Sequence, residues 1–134
     1  MKKILFVEDQ PDYKLHVFIC WIKLKNIKVE YLILGSINEA KKYLSTTNEK
    51  IDLVVTDLGL PRFRGERVEN SLQGVELVRF LPKFNSKIPV IIYSTTDIPN
   101  FNLIKKEYDS RGQELYKVKS ILDMRDWLEV FLID

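Results

Sequence analysis

The 134 residues are 46% apolar and 30% charged, which suits one globular domain and excludes a disordered chain. With 21 basic and 19 acidic side chains the net charge is +2, so neither nucleic acid nor an anionic membrane is demanded as a partner. The single cysteine, Cys20, excludes an internal disulfide and fits a reducing, cytoplasmic compartment; with the single histidine, His16, it also excludes a Cys/His zinc site.

Met1 to Val7 carries two lysines and only a short apolar run, too little for a signal peptide, and no run approaches the ~20 residues that span a bilayer. Ile4–Val7 reads as the first strand. Tyr13 to Lys25 has apolar residues at Leu15, Phe18, Ile19 and Ile22, with Val17, Trp21 and Leu24 added, and predicts a first helix with much of its surface covered. Val29–Leu34 is the second strand, stopped at Gly35. Ser36-Ile37-Asn38-Glu39 has the capping-box spacing, in which hydroxyl and carboxylate satisfy two orphan amides, and it opens a second helix with Ile37, Ala40, Tyr43 and Leu44 on one face.

Ile51–Thr56 is the third strand. Its unbroken Leu53-Val54-Val55 centre is the pattern of a parallel strand covered on both sides. A polar stretch, 61–73, precedes a third helix from Gly74 to about Pro82. Ile88–Tyr93 is the fourth strand. Asp97 to Asp109 predicts a fourth helix with Pro99 in its first turn, where proline is tolerated. Leu115–Val118 is the fifth strand. Ser120, with Asp123 three residues on, starts a fifth helix whose apolar positions include Ile121, Met124, Trp127, Leu128 and Phe131.

Alternating strands and helices predict an α/β fold, a parallel sheet with right-handed crossovers and helices on both faces. Five strands suit the flavodoxin-like doubly wound order 2-1-3-4-5, in which strands 1 and 3 flank the switch point and ligands bind beside the carboxyl ends of the strands. Strand 1 ends in Glu8-Asp9, strand 3 in Asp57, strand 4 in Ser94-Thr95-Thr96 and strand 5 in Lys119. Carboxylates crowded there repel one another, and a hard cation such as Mg²⁺ relieves that repulsion with only one or two carboxylates plus water and phosphate oxygens. Asp57 can then attack a phosphoryl group, Lys119 can ion-pair with it and Ser94 can hydrogen-bond to it.

These segments resemble the receiver domain of response regulators in two-component signalling. Ile4-Leu5-Phe6-Val7-Glu8-Asp9 is similar to the family's first strand and acidic pair. Asp57-Leu58-Gly59-Leu60-Pro61 resembles its phosphoacceptor segment, Pro89-Val90-Ile91-Ile92-Tyr93-Ser94 its fourth strand and switch hydroxyl, and Gly112 to Lys119 its fifth-strand segment. The resemblance runs over essentially the whole chain. It implies that Asp57 is the phosphoacceptor, and that Asp9, Asp57 and the backbone carbonyl of Gly59 hold Mg²⁺ while Glu8 assists through water. It further implies that Ser94 and Tyr116 are the switch pair and that Lys119 binds the phosphoryl group. The implied partners are a sensor histidine kinase or phosphotransfer protein and a separate downstream protein. The latter would be met through the face of helix 4, strand 5 and helix 5. The chain is expected to be a single receiver over 1–134 with no output domain and no enzymatic activity beyond self-dephosphorylation.

Three features depart from that pattern. The 62–73 stretch, with Arg62, Arg64, Glu66, Arg67 and Glu69, is an enlarged loop, either merely solvated or covering the site or a partner. Ser120 follows Lys119 where the family has a proline, which predicts a trans peptide with a shifted lysine or a strained cis one. Thr95 replaces a smaller residue and narrows phosphoryl access, whereas Gly59 opens a path for water. A competing reading is a degenerate receiver that acts as a phosphorylation-independent interaction module. A phosphatase with an aspartyl intermediate is disfavoured, because Gly59 stands where a second acid is needed. His16, Cys20, Trp21 and Trp127 read as surface or packing residues, and Lys105, Lys106 and Arg111 as a solvated face.

Overall fold

The apolar runs pair as one parallel sheet. In the computed structural model, which describes residues 1–84 and 87–132, the strands are β1 (Lys2–Val7), β2 (Val29–Leu34), β3 (Leu53–Thr56), β4 (Val90–Tyr93) and β5 (Leu115–Val118). Their order is β2-β1-β3-β4-β5. The helices are α1 (Pro11–Lys14), α2 (His16–Leu24), α3 (Ile37–Thr46), α4 (Val75–Phe84), α5 (Phe101–Ser110) and α6 (Ile121–Leu132). The doubly wound architecture expected from the alternation is therefore present. No described helix is long and apolar enough to cross a membrane.

Alternate strand residues feed two cores. Leu5, Val7, Val54, Val90 and Ile92 pack with Ile37, Ala40 and Leu44 of α3, Leu77, Val78 and Leu81 of α4, and Ile104 and Tyr108 of α5. Ile4, Phe6, Leu53, Val55, Ile91 and Tyr93 face Phe18 and Ile22 of α2 and Met124 and Leu128 of α6. β3 is central and buried at every residue, which is why its pattern is continuous rather than alternating. Trp21 packs its ring 5.6 Å from Phe18, as its packing role requires. The side chains of Ile121 and Trp127 lie outside the described residues. Cys20 is only half-buried, with Sγ 3.6 Å from Nε2 of the exposed His16.

Several boundaries differ from the sequence expectation. The first helix starts at Pro11, not Tyr13, and divides into α1 and α2 at Leu15, where φ is −99° and ψ is −4°. α5 begins at Phe101 rather than Asp97. Asn100 takes a left-handed φ of 59°, so the helix cannot extend back through it, and Pro99 sits in the preceding turn. β3 and β4 each start two residues later than the apolar runs suggest. α4 continues through Pro82 to Phe84. A proline there supplies no N–H for the carbonyl of Val78, and the Tyr108 hydroxyl donates to that carbonyl instead, at 2.5 Å.

Candidate functional site

β1 and β3 lie side by side with Val7 opposite Thr56, so the chain leaves both strands at the same level. Glu8 and Asp9 follow one, Asp57 the other. The backbone fastens the junction: the Asp57 N–H donates to Val7 O at 3.1 Å, and the Glu8 N–H to Leu34 O at 2.9 Å. Carboxylate oxygens of Glu8, Asp9 and Asp57 lie within 4.8 Å of one another. The three predicted acids thus meet. Asp57 is 7% exposed and Glu8 fully buried. Oδ1 of Asp57 accepts the N–H of Leu58 at 2.7 Å. Oδ1 of Asp9 is buried with no hydrogen-bond partner. An orphaned anionic oxygen beside two more carboxylates is what a hard, oxygen-seeking cation would satisfy.

Both oxygens of Glu8 are engaged. Tyr93 Oη donates to Oε1 at 2.5 Å and the Gln10 N–H donates to Oε2 at 3.0 Å. That suits a carboxylate acting on a cation through water rather than directly. Burial pushes the Glu8 carboxyl up to about 7 from 4.5, with the neighbouring Asp57 charge adding to it and the bonds from Tyr93 and Gln10 opposing it. Between these two values native Glu8 keeps a proton that the unfolded chain has lost. Stability of the metal-free protein therefore falls as pH rises through this window, by a few kcal/mol at about 1.4 kcal/mol per pKa unit. Urea unfolding at about pH 5 and about pH 8 measures it, and Glu8→Gln should flatten the slope.

The second half of the site opens from Asp57. A cleft of about 320 Å³ is lined by Asp57, Gly59, Ser71, Tyr93, Ser94, Thr95, Thr96 and Lys119. Lys119 is thus where the sequence places it, and no peptide among the described residues is cis, so the Lys119–Ser120 bond is trans. Ser94 sits at the end of β4: its N–H donates to Val118 O at 2.9 Å and its hydroxyl accepts the Thr96 N–H at 3.0 Å. Lys117 Nζ donates to the Ser94 carbonyl at 3.0 Å. Tyr116 is not a core aromatic; it is 36% exposed on β5, with Lys105 Nζ 6.0 Å from its ring centre. Lys105 also donates to Leu115 O at 3.3 Å, so it is tethered to β5 rather than merely solvated.

The enlarged loop is pinned, not simply solvated. Arg62 reaches Glu76 on α4 at 2.9 and 2.7 Å, and Arg64 reaches Glu39 on α3 at 2.6 and 3.0 Å. Carbonyls of Pro61 and Arg62 accept the first free N–H groups of α3, from Ile37 at 3.0 Å and Asn38 at 2.9 Å. The Ser36 hydroxyl caps Glu39 N at 3.2 Å as the capping box predicts, but the Glu39 carboxylate goes to Arg64 and to the N–H of Gly35. Arg64, Gly65 and Glu66 also line a second cleft of about 500 Å³ together with Glu8 and Asp9.

Two contributors escaped the sequence reading. Tyr93 read only as the last residue of a strand. Its signal was a polar tip closing an otherwise aliphatic run, since a buried phenol needs a partner. Gly74 read as the start of the third helix, with no packing role given to it. A Cβ there would stand 2.7 Å from Leu58 O and 2.8 Å from Asp57 O, so the absence of a side chain lets α4 press against the Asp57 turn.

No protein-family model matches the sequence, and no curated protein matches it. Solved structures do. The chain is similar to the non-phosphorylated receiver domain of HemR from Leptospira biflexa, at 20% identity and a TM-score of 0.68 over 100% of this chain and 96% of that one. The phosphorylated cyanobacterial phytochrome response regulator RcpA gives 22% and 0.65 over 99% and 94%. The Mn²⁺-bound response regulator Rcp1 gives 21% and 0.65 over 99% and 96%. Across its length this chain has the fold of response-regulator receiver domains.

Proposed function

We propose that this chain, folded as a response-regulator receiver domain, is a signalling switch that accepts a phosphoryl group on Asp57 and changes a protein-binding surface in response. The observation that carries this is the meeting of Glu8, Asp9 and Asp57 oxygens within 4.8 Å beside a cleft that also holds Lys119 and Ser94. Asp9, Asp57 and the backbone carbonyl of Gly59 would hold Mg²⁺, with Glu8 acting through water; bound there, the cation neutralises the carboxylates and the phosphoryl oxygens. Rcp1 binding Mn²⁺ and RcpA being phosphorylated support the same use here.

The Leu58 N–H donates to Oδ1 and so orients the Asp57 carboxylate, an oxygen of which attacks phosphorus. The new Asp57 O–P bond forms as the bond from phosphorus to the donor's leaving atom breaks, and the donor keeps that electron pair. Lys119 pairs with the phosphoryl oxygens, and the Ser94 hydroxyl donates to them once it leaves its turn with Thr96. Tyr116 then moves inward and alters the α5–β5–α6 face, which is the surface for a downstream protein. The phosphodonor is a sensor histidine kinase or phosphotransfer protein. No enzymatic turnover beyond self-dephosphorylation is assigned.

Acetyl phosphate with Mg²⁺ should add one phosphoryl group to the intact mass, and withholding Mg²⁺ should prevent it. Millimolar Mg²⁺ alone should raise the melting temperature, because it binds the folded state. If there is neither an adduct nor a rise, the phosphorylation-independent interaction module is the better reading.

A further inference from the structure

We propose that Tyr93 is a positioning residue for the cation site, holding Glu8 in its outer place so that Asp9 and Asp57 remain the direct ligands. This rests on the reading of the acidic cluster as a divalent-cation site. In the sheet, β3 lies between β4 and β1. The Tyr93 phenol therefore spans the end of β3, where Asp57 emerges, to reach Glu8 just beyond the end of β1. The ring is anchored in the core with Phe6, Val55 and Ile91, and is 7% exposed. Phenylalanine would fill the same core volume, so what the hydroxyl adds is its bond to Glu8.

That bond constrains which acid can approach a cation. For Glu8 to turn inward it would have to leave a buried phenol unpaired, a costly loss, and give up the Gln10 N–H as well. Asp9 faces no such constraint at its orphaned Oδ1. Tyr93 also lines the phosphoryl cleft and is covalently followed by Ser94. One side chain thus joins the outer carboxylate of the metal pocket to the strand end that carries the switch hydroxyl. Hydrogen bonds to the acids around a metal commonly govern affinity in this way.

The test is Mg²⁺ binding by calorimetry to this chain as wild type, Tyr93→Phe, Glu8→Gln and the double variant, each verified as folded by circular dichroism. Tyr93→Phe is expected to weaken Mg²⁺ about 10-fold or more. In the Glu8→Gln background the same change should add less than about twofold, because its route through the carboxylate is gone. Unchanged affinity in Tyr93→Phe overturns the proposal, even if its melting temperature falls, since that is mere packing. An equal loss in both backgrounds overturns it too. Absence of Mg²⁺ binding by wild type overturns the cation-site reading itself, and this inference with it.

Discussion

Asp57→Asn should abolish phosphoryl labelling and at the same time make the metal-free protein more stable. The first effect follows from chemistry: a carboxamide offers no anionic oxygen to phosphorus, and no other described acid shares the cleft with Lys119 and Ser94. The second follows from charge. Asp57 is nearly buried with Glu8 and Asp9 oxygens within 4.8 Å. Two unit charges at about 5 Å repel by about 3 kcal/mol at an effective dielectric near 20. Asparagine removes that repulsion and keeps the carbonyl oxygen that accepts the Leu58 N–H. A gain on the order of 1–3 kcal/mol is expected in denaturant titrations without metal, together with loss of most of the Mg²⁺-dependent rise in melting temperature. Equal labelling of wild type and variant would show that a different residue receives the phosphoryl group.

Gly74→Ala should be the most damaging single-methyl change. The added Cβ would meet three backbone atoms, Leu58 O at 2.7 Å and Asp57 O and Leu58 Cα at 2.8 Å, none of which can rotate away as a side-chain tip can. The Gly74 N–H already donates to Leu58 O at 2.6 Å, so α4 and the Asp57 turn would have to separate. Overpacking of this kind costs about 1–3 kcal/mol or more, and here rigid backbone on both sides places it at the upper end. The displaced peptide is the one that carries Asp57. Cation affinity and phosphoryl labelling should therefore fall even in the fraction that remains folded, which calorimetry below the unfolding transition reads. A variant with wild-type stability and affinity would show that the turn yields easily and that the contact is unimportant.

Ile4–Val7, Ile51–Thr56 and Ile88–Tyr93 announced strands by themselves, and the unbroken apolar centres of the last two announced cover on both faces, although both strands begin two residues later than those runs. With the strand order following from the alternation, the positions of Glu8, Asp9, Asp57, Ser94 and Lys119 at strand ends were legible too. Each lies one or two residues beyond its strand, and a strand is straight enough for counting to suffice. Helix boundaries were harder. Pro99 looked like a first-turn proline, but the left-handed Asn100 beyond it moved the start of α5 to Phe101.

What the linear chain determined, then, was everything set by local periodicity: the parallel sheet, its two covered faces and the rim on which the acids collect. Only the tertiary structure decided how that rim is furnished. The Tyr93–Glu8 bond joins residues 85 positions apart, Arg64 reaches Glu39 across 25, and Gly74 meets Asp57 through space left by a missing methyl. Such pairings depend on where whole strands and helices come to rest against one another, and a residue's near neighbours in the chain carry no record of that.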